Sequence, residues 1–520
     1  MTALTGTMAA PGRDRLPVAQ PLYSRDDVTA GIVHFGFGAF HRAHQAAYLD
    51  RLMNEGLALD WGIVGVNVLP HDERMHEVMT AQRCRYTQVL KHADGRLEAR
   101  TIGSVVEHLH APDDPGAVLE RLADPGIRIV SLTITEGGYE TDPATGEFTP
   151  VSEGVLADLA GDADTAPRSV FGFIVAGLRL RRSRGIPPFT VLSCDNVQGN
   201  GHIARTALLA FARTVDPELA EWMAAEVAFP STMVDRITPI TTDDDRDLVR
   251  EVFGVDDAWP VMAEPFAQWV IEDDFPLGRP PLERAGAQFV DDVAPYETMK
   301  LRLLNASHQA LAHPSSLLGH ELVDEAMADP DVVALLRAYF AEALAVLPEV
   351  PGIDLTAYCD TLLERYSNPW VRDTVERLAM DAENRLSVFL LPVVRDRMAL
   401  GLPVDVAAFV LACHFERAAG AGREGDGPAV GDGPAVGDGT AVVDGPAVGD
   451  APTVGDGTGP VGDGPAAGAE AVRAAHFLGD LAADPHVVAL VAAYGEAIRA
   501  DGVRAVVRDV SSGRRQSRSE

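Results

Sequence analysis

A short apolar strand that runs straight into a glycine turn constrains this chain more than any other feature of its sequence. Gly31-Ile-Val-His-Phe-Gly36 reads as a buried strand, and Phe37-Gly38-Ala-Phe40-His41-Arg42 leads from it into a helix-patterned segment, 41–55. Gly36 permits a tight turn, and Gly38 lets backbone approach a ligand pyrophosphate at the helix N-terminus. His41 stands where the third glycine of a GxGxxG phosphate turn is usual. Further strands are expected at Gly62–Val68, Arg128–Thr135 and Phe189–Ser193, with helices at 115–124 and 169–183. That alternation predicts an α/β fold whose first half is a mainly parallel, doubly wound sheet.

From about residue 290 the pattern changes to helices, at 293–312, 321–328, 331–346, 354–367, 369–382, 387–400, 467–482 and 485–499. At 520 residues the chain is too long for one core. The expected organisation is a lead-in over 1–30, a dinucleotide-binding domain over 31–290 and a helical domain over 291–520. Within the last, Asp426, Asp432, Asp438, Asp444, Asp450 and Asp456 recur every six residues in a tract rich in Gly and Pro, roughly 420–468. With no aromatic residue and a net negative charge, such a tract cannot bury enough apolar surface to offset its ordering entropy, so a disordered insertion is expected.

The formal net charge of −34 argues against nucleic acid or an anionic membrane as partner, because phosphate binding needs basic patches. No run of 18 apolar residues suggests a transmembrane helix, and the first thirty residues lack the apolar core of a secretory signal. Cys84, Cys194, Cys359 and Cys413 show no CxxC spacing and read as reduced thiols of a cytoplasmic protein. His41 and His44 are three residues apart, near His34, but no nearby Cys or acid completes a tetrahedral metal set, and no metal is expected.

The chemistry is concentrated in Pro295-Tyr-Glu-Thr-Met-Lys300-Leu-Arg-Leu-Leu-Asn305-Ala-Ser-His308. At ~100° per helical residue, Asn305 falls about 140° and His308 about 80° around the axis from Lys300, all on one side. A base, an amide donor and an imidazole on one face suit alcohol oxidation: one group takes the hydroxyl proton, one holds the developing oxyanion, one grips a neighbouring hydroxyl. Two loops follow strands and face the crevice of a doubly wound sheet. Ser193-Cys-Asp-Asn196 offers an amide, and Leu69-Pro-His-Asp72 offers an acid for a ribose hydroxyl, or else a helix N-cap. A third loop, Phe229-Pro-Ser-Thr-Met-Val-Asp235-Arg236, carries an acid–base pair that suits a structural role.

Taken together, these stretches resemble the polyol-specific long-chain dehydrogenase/reductase family. The matching runs are Ile32–Gln45, Ser131–Tyr139, Ser193–Asn196, Phe229–Pro239, Glu264–Asp273 and the Lys300 helix. The resemblance spans about 30–415 and, more weakly, the C-terminal helices. It implies a Rossmann-type N-terminal domain, a mostly α-helical C-terminal domain, an active site between them, NAD as cofactor and no metal. By the same resemblance Lys300 is the general acid/base, Asn196 and Asn305 bind the oxyanion, and His308, Asp235, Arg377 and Arg385 contact substrate. Glu297, one turn before Lys300, lies on the proton-exit route. Gly36, Phe37, Gly38, Phe40, His41, Arg42 and Asp72 belong to the cofactor site, and Asp72 favours NAD over NADP.

The implied reaction is interconversion of D-mannitol and D-fructose, metal-independent, by a cytoplasmic monomer or weak dimer. Fructuronate reduction and D-arabinitol oxidation are the alternatives within the family. A non-catalytic sugar or nucleotide sensor is the alternative outside it, and the complete Lys–Asn–Asn set argues against that. An exposed lysine, with a pKa of about 10.4, is a poor base at neutral pH, so Lys300 must be desolvated to serve. This chain departs from the family pattern at Asp381-Ala-Glu-Asn384, before Arg385, and at His71, beside Asp72. A further departure, Pro314, is expected to end the catalytic helix abruptly.

Overall fold

Five strands with apolar residues on both faces pair into the sheet that organises the first part of the chain. The computed structural model describes residues 15–142, 145–161, 165–421 and 465–514. These form two units, one through Ala294 and one from Pro295.

In the first unit the central strands are β1 (Ala30–Phe35), β2 (Gly62–Asn67), β3 (Val105–His110), β4 (Ile129–Leu132) and β5 (Thr190–Ser193). All neighbours are parallel, in the order β3-β2-β1-β4-β5. The two-residue period of a strand sends Ile32, Ile63, Ile129 and Leu192 into one core, with Leu49 and Leu52 of helix Gln45–Asn54. The intervening Val33, Val64, Val130 and Val191 enter a second core, with Phe173 of Val170–Ser183 and Leu208 of Asn200–Val215. Burial on both faces explains why β1, β2, β4 and β5 read as continuous apolar runs. The strand order reverses direction between β1 and β4, so their carboxyl ends bound the crevice where such sheets bind ligands.

Local signals set the helix starts. Ser169 accepts from the Gly172 amide, and Asp114 and Asp216 accept from Ala117 and Leu219, each followed by proline at the first helical position. Residues 15–30 are tied down. Val18–Ala19 pairs with Leu97–Ile102, and the Arg25 guanidinium donates to the carbonyls of Arg83, Gly103 and Val105.

The sequence did not lead us to expect two small sheets. One joins Tyr86–Lys91 antiparallel to Leu97–Ile102, and Val261–Ala263 lies along its other side. The other pairs Thr232–Asp235 antiparallel with Gln268–Glu272, which Gln288–Val290 flanks in parallel.

The second unit is built from helices. Ala306–Leu318 packs against Pro330–Leu344, Val375–Leu378 and Asp405–Ala421, and Asp405–Ala421 packs against Pro485–Asp501. The Glu342 carboxylate accepts from the Val406 and Ala407 amides, capping Asp405–Ala421 where backbone donors have no partner in the helix.

Three expectations are corrected here. Pro314 lies inside Ala306–Leu318 and does not end it. The proline forfeits one backbone bond, but His313, Pro314 and Ser315 are all buried, and packing outweighs that local cost. The expected helix over 369–382 reduces to Val375–Leu378, because Arg372 and Asp381 take left-handed backbone (φ 52° and 50°) and Thr374 caps a new start. The expected strand Arg128–Thr135 also stops early, at Leu132. Residues 422–464, the bulk of the repetitive tract, lie outside the described residues.

Burial holds five histidines neutral. His34 and His108 are pushed down to about 3 and His414 to about 4, and His41 and His313 fall well below the usual imidazole value. An unfolded chain protonates these groups near 6.5, so below that pH it binds more protons than the folded one and stability falls with acidification. Burial raises Glu342 to about 7 and Asp195 to about 6, and the bond to Asp113 raises His110 against the opposing effect of burial. These three act in the opposite sense and offset part of the loss. The melting temperature should therefore drop as pH is lowered from about 6.5 to 4.5. A flat or rising profile by differential scanning calorimetry would contradict the assignment of neutral buried histidines.

Candidate active site

The glycine turn forms where β1 ends beside β4. Gly36 has φ +87°, and a Cβ on it would lie 1.9 Å from the Thr133 carbonyl oxygen, so only glycine fits. Gly38 differs: it is exposed, it precedes the helical turn Ala39–Ala43, and a Cβ there would meet nothing closer than 3.8 Å. Open backbone at such a position is what a pyrophosphate requires.

The side chains of this segment mostly point inward. Phe37 packs under Gly65 and against the edge of His108, and His41 stacks on His34 with ring centroids 3.4 Å apart. Arg42 is buried, donates to the Trp259 carbonyl at 2.7 Å and lies over the Tyr86 ring. Phe40 is half-buried and stacks on His44, whose Nε2 lies 3.0 Å from the Gln268 carbonyl. Of this run, the exposed backbone at Gly38 and the Phe40 ring are therefore the parts open to a ligand, while Phe37, His41 and Arg42 support them from below.

Asp72 occupies the N-cap position of Glu73–Ala81, yet its carboxylate makes no capping bond. The carboxylate instead lies 3.9 Å from His71 Nε2, on the short turn Pro70–Asp72 that follows β2, the side of the sheet where the ribose of a dinucleotide lies in folds of this order. Its loop is steadied by His110, whose Nε2 lies 3.0 Å from the Leu69 carbonyl and whose Nδ1 lies 2.9 Å from Asp113.

Two further predicted groups share a second framework in this unit. Asn196 lies in the bend after β5, and Asp235 ends the strand Thr232–Asp235. Buried Asn200 joins their segments: its amide nitrogen donates to the Asp195 and Thr232 carbonyls, and its oxygen accepts from the Thr232 amide. The guanidinium of Arg236 donates to the Glu264 and Ala43 carbonyls, which gives it a structural role.

In the second unit Lys300–Asn305 is a π-helical turn set between Ala294–Met299 and Ala306–Leu318. Bonds of the i→i+5 kind widen the turn, so the 100° spacing assumed from sequence does not hold here. Asn305, five residues on, comes round closer to Lys300 than an α-helix would place it, and such turns are frequent at functional sites. Lys300 and Glu297 are both buried, and Asn305 and His308 are partly exposed. Tyr366 holds the far end of the turn: its hydroxyl lies 2.7 Å from Ser307 Oγ and 3.1 Å from the Leu304 carbonyl, and its ring contacts His308.

The two predicted arginines differ from each other. Arg377 grips Asp373 with a two-pronged ion pair, through Nε at 2.6 Å and through Nη2. Arg385, on Ala382–Arg385, is partly exposed, with Nη1 3.5 Å from the Leu378 carbonyl. Sequence reasoning missed Asp373, Tyr366, Asn200 and Asp195, all of which act on predicted site residues or their loops.

Two family descriptions match this chain: the mannitol dehydrogenase Rossmann domain over residues 30–284 and the mannitol dehydrogenase C-terminal domain over 292–441. Mannitol 2-dehydrogenase of Cereibacter sphaeroides is 47% identical over 385 residues, which are 74% of this chain and 80% of that protein. Among solved structures, D-sorbitol dehydrogenase in substrate-free form superposes with TM-score 0.83 at 36% identity, covering 94% of this chain and 97% of that one. Pseudomonas fluorescens mannitol 2-dehydrogenase, solved as a ternary complex with NAD and D-mannitol, gives 0.75 at 39% identity, covering 95% and 97%.

The contrast between the two glycines can be measured. Gly36→Ala forces both a strained φ and an overlap with Thr133, and should cost about 1–3 kcal/mol or more in stability. Gly38→Ala should leave the melting temperature unchanged and weaken NADH binding at least tenfold in a fluorescence titration. Equal stability of the two variants would show that the turn is not sterically fixed as described.

Proposed function

Because the chain belongs to the mannitol dehydrogenase family, we propose that it is an NAD-dependent oxidoreductase interconverting D-mannitol and D-fructose at C2 without a metal. The observation that carries this reading is the π turn that brings Asn305 round to Lys300, with Glu297 one turn before it and His308 after it. A sugar sensor has no use for a buried base beside an oxyanion donor.

The tight turn at Gly36, the exposed backbone at Gly38, the Phe40 ring and the Asp72 carboxylate fit a dinucleotide, with Phe37, His41 and Arg42 holding the turn from beneath. NAD, when bound, supplies the acceptor for the hydride that leaves C2. The remaining work falls to side chains of this protein. Neutral Lys300, buried at the π turn, takes the proton of the C2 hydroxyl. Asn196 and Asn305 donate to the oxygen as it gains charge, and one such donor is worth about 3 kcal/mol in a water-excluded site. Glu297 passes the proton onward. His308, Asp235, Arg377 and Arg385 fix the other hydroxyls. For reduction the roles reverse, and protonated Lys300 delivers its proton to the oxygen at C2.

Pairing with Asp373 favours a neutral substrate at Arg377, since the guanidinium charge is already compensated. The free, buried state of the four cysteines suits a reducing cytoplasm, where we place the protein as a monomer or weak dimer with no nucleic-acid or membrane partner.

Initial rates of NADH oxidation with D-fructose and D-fructuronate in parallel test the reading. Turnover of fructose, with little of fructuronate, is expected, and the reverse preference would move the protein to uronate chemistry. Lys300→Ala should lower turnover by about a thousandfold while NADH affinity stays within about twofold. Substantial residual turnover in that variant would remove Lys300 from the role of general acid/base.

A further inference from the structure

A buried carboxylate stands directly before Asn196, and no step of the reaction above uses it. Asp195 Oδ1 accepts from the Thr135 amide at 2.8 Å, and Oδ2 accepts from the Ile134 amide at 3.1 Å and the Tyr139 hydroxyl at 2.6 Å. Tyr139 Oη also lies 2.6 Å from Ser193 Oγ at the end of β5. The loop it grips is strained, for Thr135 holds φ +67°, a conformation that a β-branched residue adopts rarely. Two residues earlier, the Thr133 hydroxyl donates to the Gly36 carbonyl at 2.7 Å and lies 2.9 Å from His34 Nε2. A continuous polar chain thus runs from the glycine turn of β1, through the loop after β4, to the bend that carries Asn196 after β5.

We propose that Asp195 is a positioning residue that sets the oxyanion amide of Asn196 against the dinucleotide turn by clamping the Ile134–Thr135 backbone. The proposal rests on the reading of Asn196 as an oxyanion donor. The clamp lies wholly within the first unit, and its three donors all come from the loop after β4, so one carboxylate on the β5 bend holds that loop at Ile134, Thr135 and Tyr139. Substrate and cofactor groups held on adjacent strand ends lose rate steeply when one end shifts, since a misplacement of ~1 Å can cost ~100-fold. A carboxylate suits the task because both its oxygens accept, and charged acceptors make the stronger bonds to amides. An asparagine at 195 keeps the shape but must turn an NH2 toward one of the three donors.

The groups around Asp195 that bear on its charge are Tyr139, Glu136 and the neighbouring Cys194. Burial raises the carboxyl to about 6, with the Glu136 charge adding to the rise, while the Tyr139, Ile134 and Thr135 bonds pull it down. Above about 6 the clamp is charged and closed. As pH falls through that value its acceptors weaken. Ketose reduction needs protonated Lys300, so that group causes no loss of rate at acid pH in this direction, and a decline near 6 reports the clamp.

The test compares the wild type with Asp195→Asn and Tyr139→Phe, all as full-length protein. For fructose reduction, Asp195→Asn should lower kcat on the order of tenfold to a hundredfold, leave NADH affinity within about twofold and abolish the acid decline. Tyr139→Phe removes a donor that keeps the carboxylate charged and should move the decline to higher pH. Hydrogen exchange gives a readout independent of turnover: in Asp195→Asn the segments 133–139 and 194–200 should exchange faster, with the rest of the unit unchanged. An unmoved acid decline in Tyr139→Phe, or unchanged exchange in both segments of Asp195→Asn, would overturn the clamp. Failure of the wild type to reduce fructose would instead overturn the reading of the reaction, and the exchange result would still decide whether Asp195 anchors the loop.

Discussion

The ends of β1 and β4 approach so closely at Gly36 that nothing larger than hydrogen fits between them. A Cβ at that position would sit 1.9 Å from the Thr133 oxygen. That single contact lets the Thr133 hydroxyl reach the Gly36 carbonyl and His34, and His34 Nδ1 in turn lies 2.8 Å from Ser131 Oγ. His34 is fully buried, and an imidazolium there would forfeit its hydration with no acid to replace it, hence the fall of its pKa to about 3. The neutral ring can then both donate and accept, which a two-sided polar seam inside a parallel sheet requires. Because this seam is tight, the loop beyond Thr133 has little freedom, and the strain at Thr135 is borne by the bonds that Asp195 offers.

The helical unit meets a different constraint. An α-helix through 294–318 would fix Lys300 and Asn305 well apart around the axis, and the π turn relieves this by changing the local winding. Widened turns bond their backbone less well, and two tyrosines compensate. Tyr366 donates to the Leu304 carbonyl and Tyr339 to that of Arg302, from helices Leu355–Tyr366 and Pro330–Leu344. The geometry of the π turn is thus supported by neighbouring helices as well as by the helix that contains it. Pro314 fits the same picture, since a helix sustained by its surroundings can tolerate the loss of one internal bond.

What could be read beforehand follows from how local each signal is. The strands β1, β2, β4 and β5 were legible because burial on both faces leaves unbroken apolar runs, and the glycine turn because Gly36 holds a position that no larger residue can. That Lys300, Asn305 and His308 share one helical stretch was legible, but the winding between Lys300 and Asn305 was not. A π turn is set by contacts with Tyr366 and Tyr339, more than thirty residues away, and leaves no mark on the local pattern. β3 escaped notice because Val105-Val-Glu-His-Leu-His110 mixes charge with apolar residues, whereas the hairpin Tyr86–Ile102 carried a usable sign in Asp94-Gly95. The break at 369–382 depends on left-handed backbone at Arg372 and Asp381, residue types for which composition gives little warning.

The arginines show why residue identity alone under-determines a substrate. An Arg377 facing an uncompensated pocket would attract a carboxylate, and the sequence alone allowed that. In the structure Asp373 already occupies the fork, and both side chains are largely shielded, at 15% and 13% exposure. A substrate carboxylate would have to displace Asp373 or be placed beside it, and either course leaves one anion without a partner in a partly dehydrated setting. A polyol hydroxyl meets no such conflict. It can donate to a carboxylate oxygen with spare lone pairs and brings no charge that needs a partner. The ion pair thereby turns two charges into a neutral patch rich in donors and acceptors, and such a patch discriminates by rejecting charge as much as by binding hydroxyls.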